Sequence, residues 1–205
     1  MSEHRERIGK YSVRDWLDHS SKLLLAAVDR LGEDEFDHPT ALLGWTRRHV
    51  IAHVHYNAEA LRRLVYWART GVSTPMYSDA AQRAAEITDG ARLPVVRLRE
   101  LVHTSAAALA ADLDALPAKA WRQEVVTAQG RTVPASEIPW LRTREVAVHA
   151  VDLDAGVGFR DLPDDLNAAL VADAVGRRSA NGEAAVLAAW LTGRSSEAPA
   201  LGPWL

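Results

Sequence analysis

Apolar residues recur at three- and four-residue spacings along most of the chain, which is the period of amphipathic α-helices. Glycine and proline mark the limits of these stretches: Gly32 and Gly71 end helices, and Pro94 suits the first turn of one. Asp89-Gly90 is expected to interrupt the third region and to leave a short helix ahead of a long one. The long helices predicted in this way cover residues 12–31, 46–70, 94–116 and 139–156, with the short helix near 79–88.

The segment before the last long helix is rich in β-branched residues and has Gly130 at its middle. It predicts a hairpin of two short strands, Trp121–Thr127 and Arg131–Pro134. Four long helices with short connections favour a mainly α fold, an antiparallel four-helix bundle. We expect residues 1–156 to form this bundle and residues 157–205, with helices near 164–178 and 183–191, to form a small C-terminal region.

Composition excludes several classes of function. The 205 residues carry a formal charge of −3, which gives no electrostatic basis for general nucleic-acid binding. No apolar run approaches the roughly 20 residues needed to cross a bilayer, and the N-terminus has no apolar signal region, so a cytoplasmic protein without a membrane partner is expected. The chain contains no cysteine, which excludes disulfides, cysteine nucleophiles and thiolate metal sites. Any thiol chemistry therefore requires the sulfur to arrive on a small molecule.

The strongest local signal for chemistry is the pair Glu145 and His149 on the last long helix. Residues four apart project from the same helix face. The residues around this pair are mostly valine and alanine, and a carboxylate in such a setting is costly unless an ionic partner satisfies it. A metal ion would satisfy it and take His149 as a neutral nitrogen ligand, whereas a salt-bridged or solvated pair is the alternative.

A polar row on the second helix supports the metal interpretation. His49, His53 and Asn57 follow one another at four-residue spacing beside the apolar stripe. His53 with Glu145 and His149 would supply three ligands from two helices and leave coordination positions open, as in catalytic divalent sites. Nitrogen and carboxylate ligands allow zinc and leave manganese, iron, cobalt or nickel open.

Three segments, GWTRRHVIAHVHYNAEAL, TPMYSDAAQRAAEI and LRTREVAVHAVDLDAG, resemble the mycothiol-dependent maleylpyruvate isomerase family, within the wider DinB-like metal-binding bundles. The resemblance covers about residues 10–156, and VLAAWLTGR resembles the family's C-terminal α/β region in shortened form. It implies a divalent metal, usually zinc, on His53, Glu145 and His149.

The resemblance also implies a thiol cosubstrate, mycothiol, and arginines that position a dicarboxylate substrate. Arg83 and Arg194 are the candidate catalytic arginines. His49 and Asn57, beside His53, are the candidate contacts of the thiol cofactor. A monomer or a small homo-oligomer is expected.

The implied reaction converts maleylpyruvate to fumarylpyruvate in gentisate-type degradation of aromatic compounds. A thiolate adds to the cis double bond, the resulting single bond rotates, and elimination releases the trans isomer. A cysteine-free protein fits this chemistry because the thiol comes from outside. Two alternatives stay open: a mycothiol S-transferase acting on another electrophile, and a non-catalytic metal-binding bundle in which the polar row is a satisfied part of the core.

Overall fold

The computed structural model describes residues 12–201 of the chain. Most of them are helical, as the periodicity predicts. The α-helices are α1 (Val13–Arg30), α2 (Arg47–Thr70), α3 (Ala80–Ala91), α4 (Val95–Asp114), α5 (Ile138–Asp152), α6 (Asp164–Arg178) and α7 (Ala184–Leu191). The two strands are β1 (Glu124–Val126) and β2 (Thr132–Pro134).

Local side-chain chemistry fixes the ends of the first two helices. At the start of α1, the backbone N–H of Asp15 donates to Ser12 Oγ and that of Ser12 donates to the Asp15 carboxylate, a reciprocal capping box. At the start of α2, the backbone N–H of Thr46 donates to His49 Nδ1 over 3.2 Å. The helix ends at Gly71, whose φ of 76° is the left-handed conformation that glycine adopts without strain.

Helix α3 does not stop where the sequence suggested. It continues through Asp89-Gly90 to Ala91. A Cβ atom at Gly90 would lie 2.8 Å from Tyr56 Cε2 and 3.0 Å from Ala52 Cβ, both on α2. The glycine therefore serves the close packing of α3 on α2 and does not break the helix.

The predicted hairpin is confirmed, with shorter strands than expected. β1 and β2 pair in antiparallel register, with Val125 opposite Val133. Both valines are buried, because the side chains of one face of the hairpin pack on the helices. Trp121, expected in the first strand, lies instead in a short 3₁₀ turn.

Helices α1, α2, α4 and α5 form the predicted four-helix bundle. Helix α1 packs mainly on α5, and α2 packs on both α4 and α5, while α3 covers the outside of α2. The bundle is held by apolar side chains that are almost wholly buried, among them Leu24, Leu61, Leu64, Leu98, Leu109 and Ile138. Because α2 contacts three other helices, its side chains line most of the interior.

The chain divides into two compact units, one reaching to Leu162 and the other beginning at Pro163. In its described part, the second unit contains α6 and α7, joined by a kink at Ser179–Glu183 in which Gly182 has a φ of 93°. Arg178 donates to Glu183 across this kink over 2.9 Å. In the described part of the chain, every helix falls short of the combined length and apolarity that crossing a membrane requires.

Candidate metal centre

Three side chains that are distant in sequence meet between α2 and α5. His53, Glu145 and His149 each present a ligand atom, and these atoms all lie within 4.8 Å of one another. His53 Nε2 donates to Glu145 Oε2 over 2.8 Å, and His149 Nε2 lies 3.6 Å from the same oxygen. The two imidazole rings meet edge to face with their centroids 4.8 Å apart. The three residues chosen from the spacing are therefore brought together.

Helix geometry explains why these residues converge. Glu145 and His149 occupy positions one turn apart on α5, so both project towards α2. The residues beside them, Val146, Ala147 and Ala150, are buried and small, which allows α5 to lie close to α2. The site is consequently enclosed by apolar packing on its helical sides.

The pKa values of all three side chains in the cluster are shifted from their ordinary values. Burial by itself would raise the pKa of Glu145, but the proximity of His149, the hydrogen bond from His53 and the charges of both rings hold this pKa well below its usual value. Burial lowers the pKa of His53 and outweighs the influence of Glu145. Burial also opposes the charge on His149, yet the hydrogen bond to Asp152 and the nearby carboxylate of Glu145 raise its pKa to about 9. The carboxylate is thus anionic, His53 neutral and His149 protonated at neutral pH.

Asp152 is a member of the site that the sequence reasoning missed. His149 Nδ1 donates to Asp152 Oδ2 over 2.8 Å. This bond leaves Nε2 of His149 facing Glu145 and His53. Metal-binding histidines commonly donate their second ring nitrogen to a carboxylate in this way, which orients the ring and increases its basicity. The signal was present in the sequence as the spacing His149-x-x-Asp152.

The donor set fits a divalent cation. Two imidazole nitrogens and one carboxylate would give three protein ligands, and a cation would take the place of the proton that His149 now holds. Such a set leaves coordination positions open to a substrate or a thiol. In the described chain, this is the one group of three metal-ligating side chains found within such distances.

Arg83 lies at the edge of this cluster. It is half-buried on α3, and its NH2 lies 3.5 Å from His53 Nδ1, long for a hydrogen bond. Tyr77, in the loop before α3, is close enough for the charges of Arg83 and Glu145 to influence its pKa, which burial raises. The structure therefore places one of the two candidate arginines beside the predicted ligands.

Trp45 is a second neighbour that the sequence reasoning did not select. Its ring centroid lies 5.6 Å from that of His53 and 6.2 Å from that of His49. The residue belongs to the loop before α2 and has its side chain partly buried. Only its position four residues before His49 and eight before His53 indicated that it would lie near the site.

The other candidate residues have different surroundings. His49 lies one turn before His53, but its Nδ1 accepts the hydrogen bond that begins α2. Asn57 is buried, and its Oδ1 accepts a hydrogen bond of 2.8 Å from Arg142. Arg194 belongs to the second unit, where its NH1 donates to the carbonyl of Thr192. Contact of His49 and Asn57 with a thiol, and of Arg194 with a substrate, stays a prediction.

Comparisons with known proteins identify the family of the chain. The family described as the mycothiol maleylpyruvate isomerase N-terminal domain matches residues 17–154. The chain belongs to this family. A search of curated protein sequences finds no match.

Solved structures of the isomerase family extend the comparison. A crystal structure of mycothiol-dependent maleylpyruvate isomerase has 41% sequence identity and a TM-score of 0.77, and the match covers 80% of this chain and 70% of that one. A histidine-to-alanine mutant of that enzyme has 40% identity, a TM-score of 0.76 and the same coverage. YfiT from Bacillus subtilis, a four-helix bundle of unusual topology, has 18% identity, a TM-score of 0.56 and coverage of 73% and 90%, so it supports the fold alone.

Replacing either His53 or Glu145, two of the predicted ligands, should abolish metal binding at the centre. We expect His53→Ala and Glu145→Ala each to lower bound metal from about one equivalent to near zero, because two remaining ligands hold a divalent cation weakly. Elemental analysis of purified protein measures this. His55→Ala is the matched control, since His55 is a buried histidine of the same helix whose ring packs on Tyr56. Full metal retention in both ligand variants would exclude the site.

Asp152→Asn should weaken metal binding without abolishing it. Asparagine keeps the shape of the side chain but removes the charge that supports His149, so we expect affinity to fall by about 10- to 100-fold. Competition with a chromophoric chelator measures the change. Asp154→Asn removes an exposed carboxylate two residues further on and should leave the affinity unchanged. Equal affinities of the Asp152 variant and the wild type would show that this carboxylate does not support the metal.

Proposed function

We propose that the protein is a mycothiol-dependent maleylpyruvate isomerase that converts maleylpyruvate to fumarylpyruvate. The observation that carries the proposal is the largely buried cluster of His53, Glu145 and His149, in a chain 41% identical to such an enzyme. The absence of cysteine from all 205 residues agrees with a reaction whose thiol comes from a cosubstrate.

We further propose that His53, Glu145 and His149 hold a zinc ion. Zinc commonly takes imidazole and carboxylate ligands and keeps open positions in catalytic sites. When bound there, the ion would lower the pKa of a thiol and favour its thiolate form. Asp152 would keep the proton of His149 on Nδ1, which leaves Nε2 unprotonated as a ligand atom.

The isomerisation needs no net proton or electron. The thiolate of mycothiol forms a C–S bond with one alkene carbon of maleylpyruvate, and the π electrons move into an enolate. Rotation about the new single bond precedes elimination, in which the enolate electrons re-form the double bond and the C–S bond breaks. The trans product and the thiolate are released, so the thiol is recycled. A nearby cation would stabilise the enolate.

Arg83 is the side chain that we propose binds a substrate carboxylate. Its planar guanidinium suits bidentate contact with a carboxylate. If Nε2 of His53 serves as a ligand, the ring proton resides on Nδ1, and Arg83 NH2 then loses the acceptor it faces at 3.5 Å. The guanidinium would turn to the next acceptor, which we propose is the carboxylate of the substrate.

A spectrophotometric assay of maleylpyruvate, run with and without mycothiol on protein of known metal content, tests the function. We expect fumarylpyruvate to form only when both the thiol and the metal are present. A stable thioether product without recycling of the thiol would indicate an S-transferase. No reaction by metal-loaded protein with mycothiol would contradict the isomerase proposal.

Arg83→Gln should raise the KM for maleylpyruvate by about 10- to 100-fold, the size expected for losing a charge-assisted hydrogen bond. Metal content should stay unchanged, since Arg83 supplies no ligand atom. Steady-state kinetics and elemental analysis on the same preparation separate the two effects. Arg92→Gln is the matched control, because Arg92 directly follows α3 and its side chain is 74% exposed. Unchanged kinetics in the Arg83 variant would remove this residue from the substrate site.

A further inference from the structure

A cavity lies between α1 and α4, lined by residues other than the three of the metal cluster. Its volume is about 270 Å³, and we call it the α1–α4 cleft. Most of its walls are apolar. The lining residues on which the inference depends are Leu17, Lys22 and Leu25 of α1, Ala106 and Ala110 of α4, and Arg142 of α5.

The cleft follows from the packing of the bundle. Helix α1 packs mainly on α5, and α4 packs mainly on α2, whereas α1 and α4 contact each other sparsely. Where they face each other, α4 presents Ala106, Ala107 and Ala110. Side chains this small do not fill the space between the two helices, so a gap lined by methyl and leucine side chains remains.

Arg142 gives this cleft a positive charge. The residue is 2% exposed, and its NH1 donates to the carbonyl of Val54 and to Asn57 Oδ1, both over 2.8 Å. In the described chain, Arg142 makes no ion pair with a carboxylate, and its Nε and NH2 make no hydrogen bond. Burial lowers its pKa to about 10, although the charge of Glu145 acts in the opposite direction. A buried guanidinium with only neutral acceptors is costly, and an anion would relieve that cost.

The other charged groups around the cleft lie at its rim. Asp18 and Lys22 are exposed and carry opposite charges. His103 is bonded through Nε2 to Asp29 over 2.8 Å. The rim is therefore close to neutral, and the charge inside the cleft is that of Arg142.

We propose that the α1–α4 cleft binds a small monocarboxylate with a compact apolar body, its carboxylate paired with Arg142. The two donor nitrogens of Arg142 that have no described partner match the two oxygens of a carboxylate. A cavity of about 150 Å³ suffices to hold benzene, so 270 Å³ accommodates one ring and a carboxylate. A dianion such as phosphate brings more charge than one guanidinium neutralises, and it gains nothing from apolar walls.

Benzoate and its neutral analogue benzamide are the probes, titrated into the metal-loaded protein and followed by calorimetry. We expect benzoate to bind at least about tenfold more tightly than benzamide, because only the anion pairs with Arg142. Ala106→Leu fills the cleft and should abolish binding of both probes. Arg142→Gln should reduce the affinity for benzoate to that for benzamide.

Ala111→Leu is the matched control, because Ala111 is an exposed residue of α4 that does not line the cleft. It should bind benzoate as the wild type does. If Arg142→Gln fails to fold, the comparison of Ala106→Leu with Ala111→Leu still shows whether benzoate binds in the α1–α4 cleft. Benzoate binding that survives Ala106→Leu would place the anion elsewhere, the metal centre included, and would overturn the proposal. Equal affinities of the wild type for benzoate and benzamide, or no binding of benzoate, would overturn it as well.

Discussion

A carboxylate that stays ionised inside an apolar helix bundle is the constraint on which this site depends. Glu145 retains its charge because His53 on the facing helix hydrogen-bonds to it and His149, one turn along its own helix, places its Nε2 3.6 Å away. Removing those partners would leave a buried charge that the surrounding valines and alanines cannot solvate. The same arrangement joins α5 to α2, which is also the helix that packs on α3 and α4. The contacts that form the candidate metal centre therefore also join the helices of the bundle.

Helix α5 carries two opposite buried charges, Arg142 and Glu145, that lie one turn apart and both reach α2. Arg142 donates to the Val54 carbonyl and to Asn57, while Glu145 accepts from His53. A shift of α5 by one residue would separate both groups from these partners at once. The apolar contacts between the helices tolerate small displacements, but the polar contacts do not, because an unpartnered buried charge costs several kcal/mol. The polar residues thus specify the register, and the apolar residues supply most of the stability.

The helices were predictable because their signals are local. Periodicity, the capping residue Ser12 and the left-handed Gly71 act within a few residues of the helix ends that they determine. The exception is Gly90, which looks like an interruption in the sequence but lies inside α3. A Cβ atom at Gly90 would lie only 2.8 Å from Tyr56, so the glycine is needed where α3 packs closely on α2. The local sequence pattern does not reveal such a contact with another helix.

The sequence by itself determined the helices, the hairpin, the family and the pair Glu145 and His149, whose juxtaposition is a property of any helix. It also indicated His53, because the row of His49, His53 and Asn57 runs beside the apolar stripe of an amphipathic helix and therefore lies close to the interior of the bundle. Only the tertiary structure decided that Asn57 binds Arg142 and that Arg83 lies beside His53. The physical reason is that the direction of a side chain within one helix follows from its spacing, whereas its partner on another helix depends on how closely, and in which register, the two helices pack.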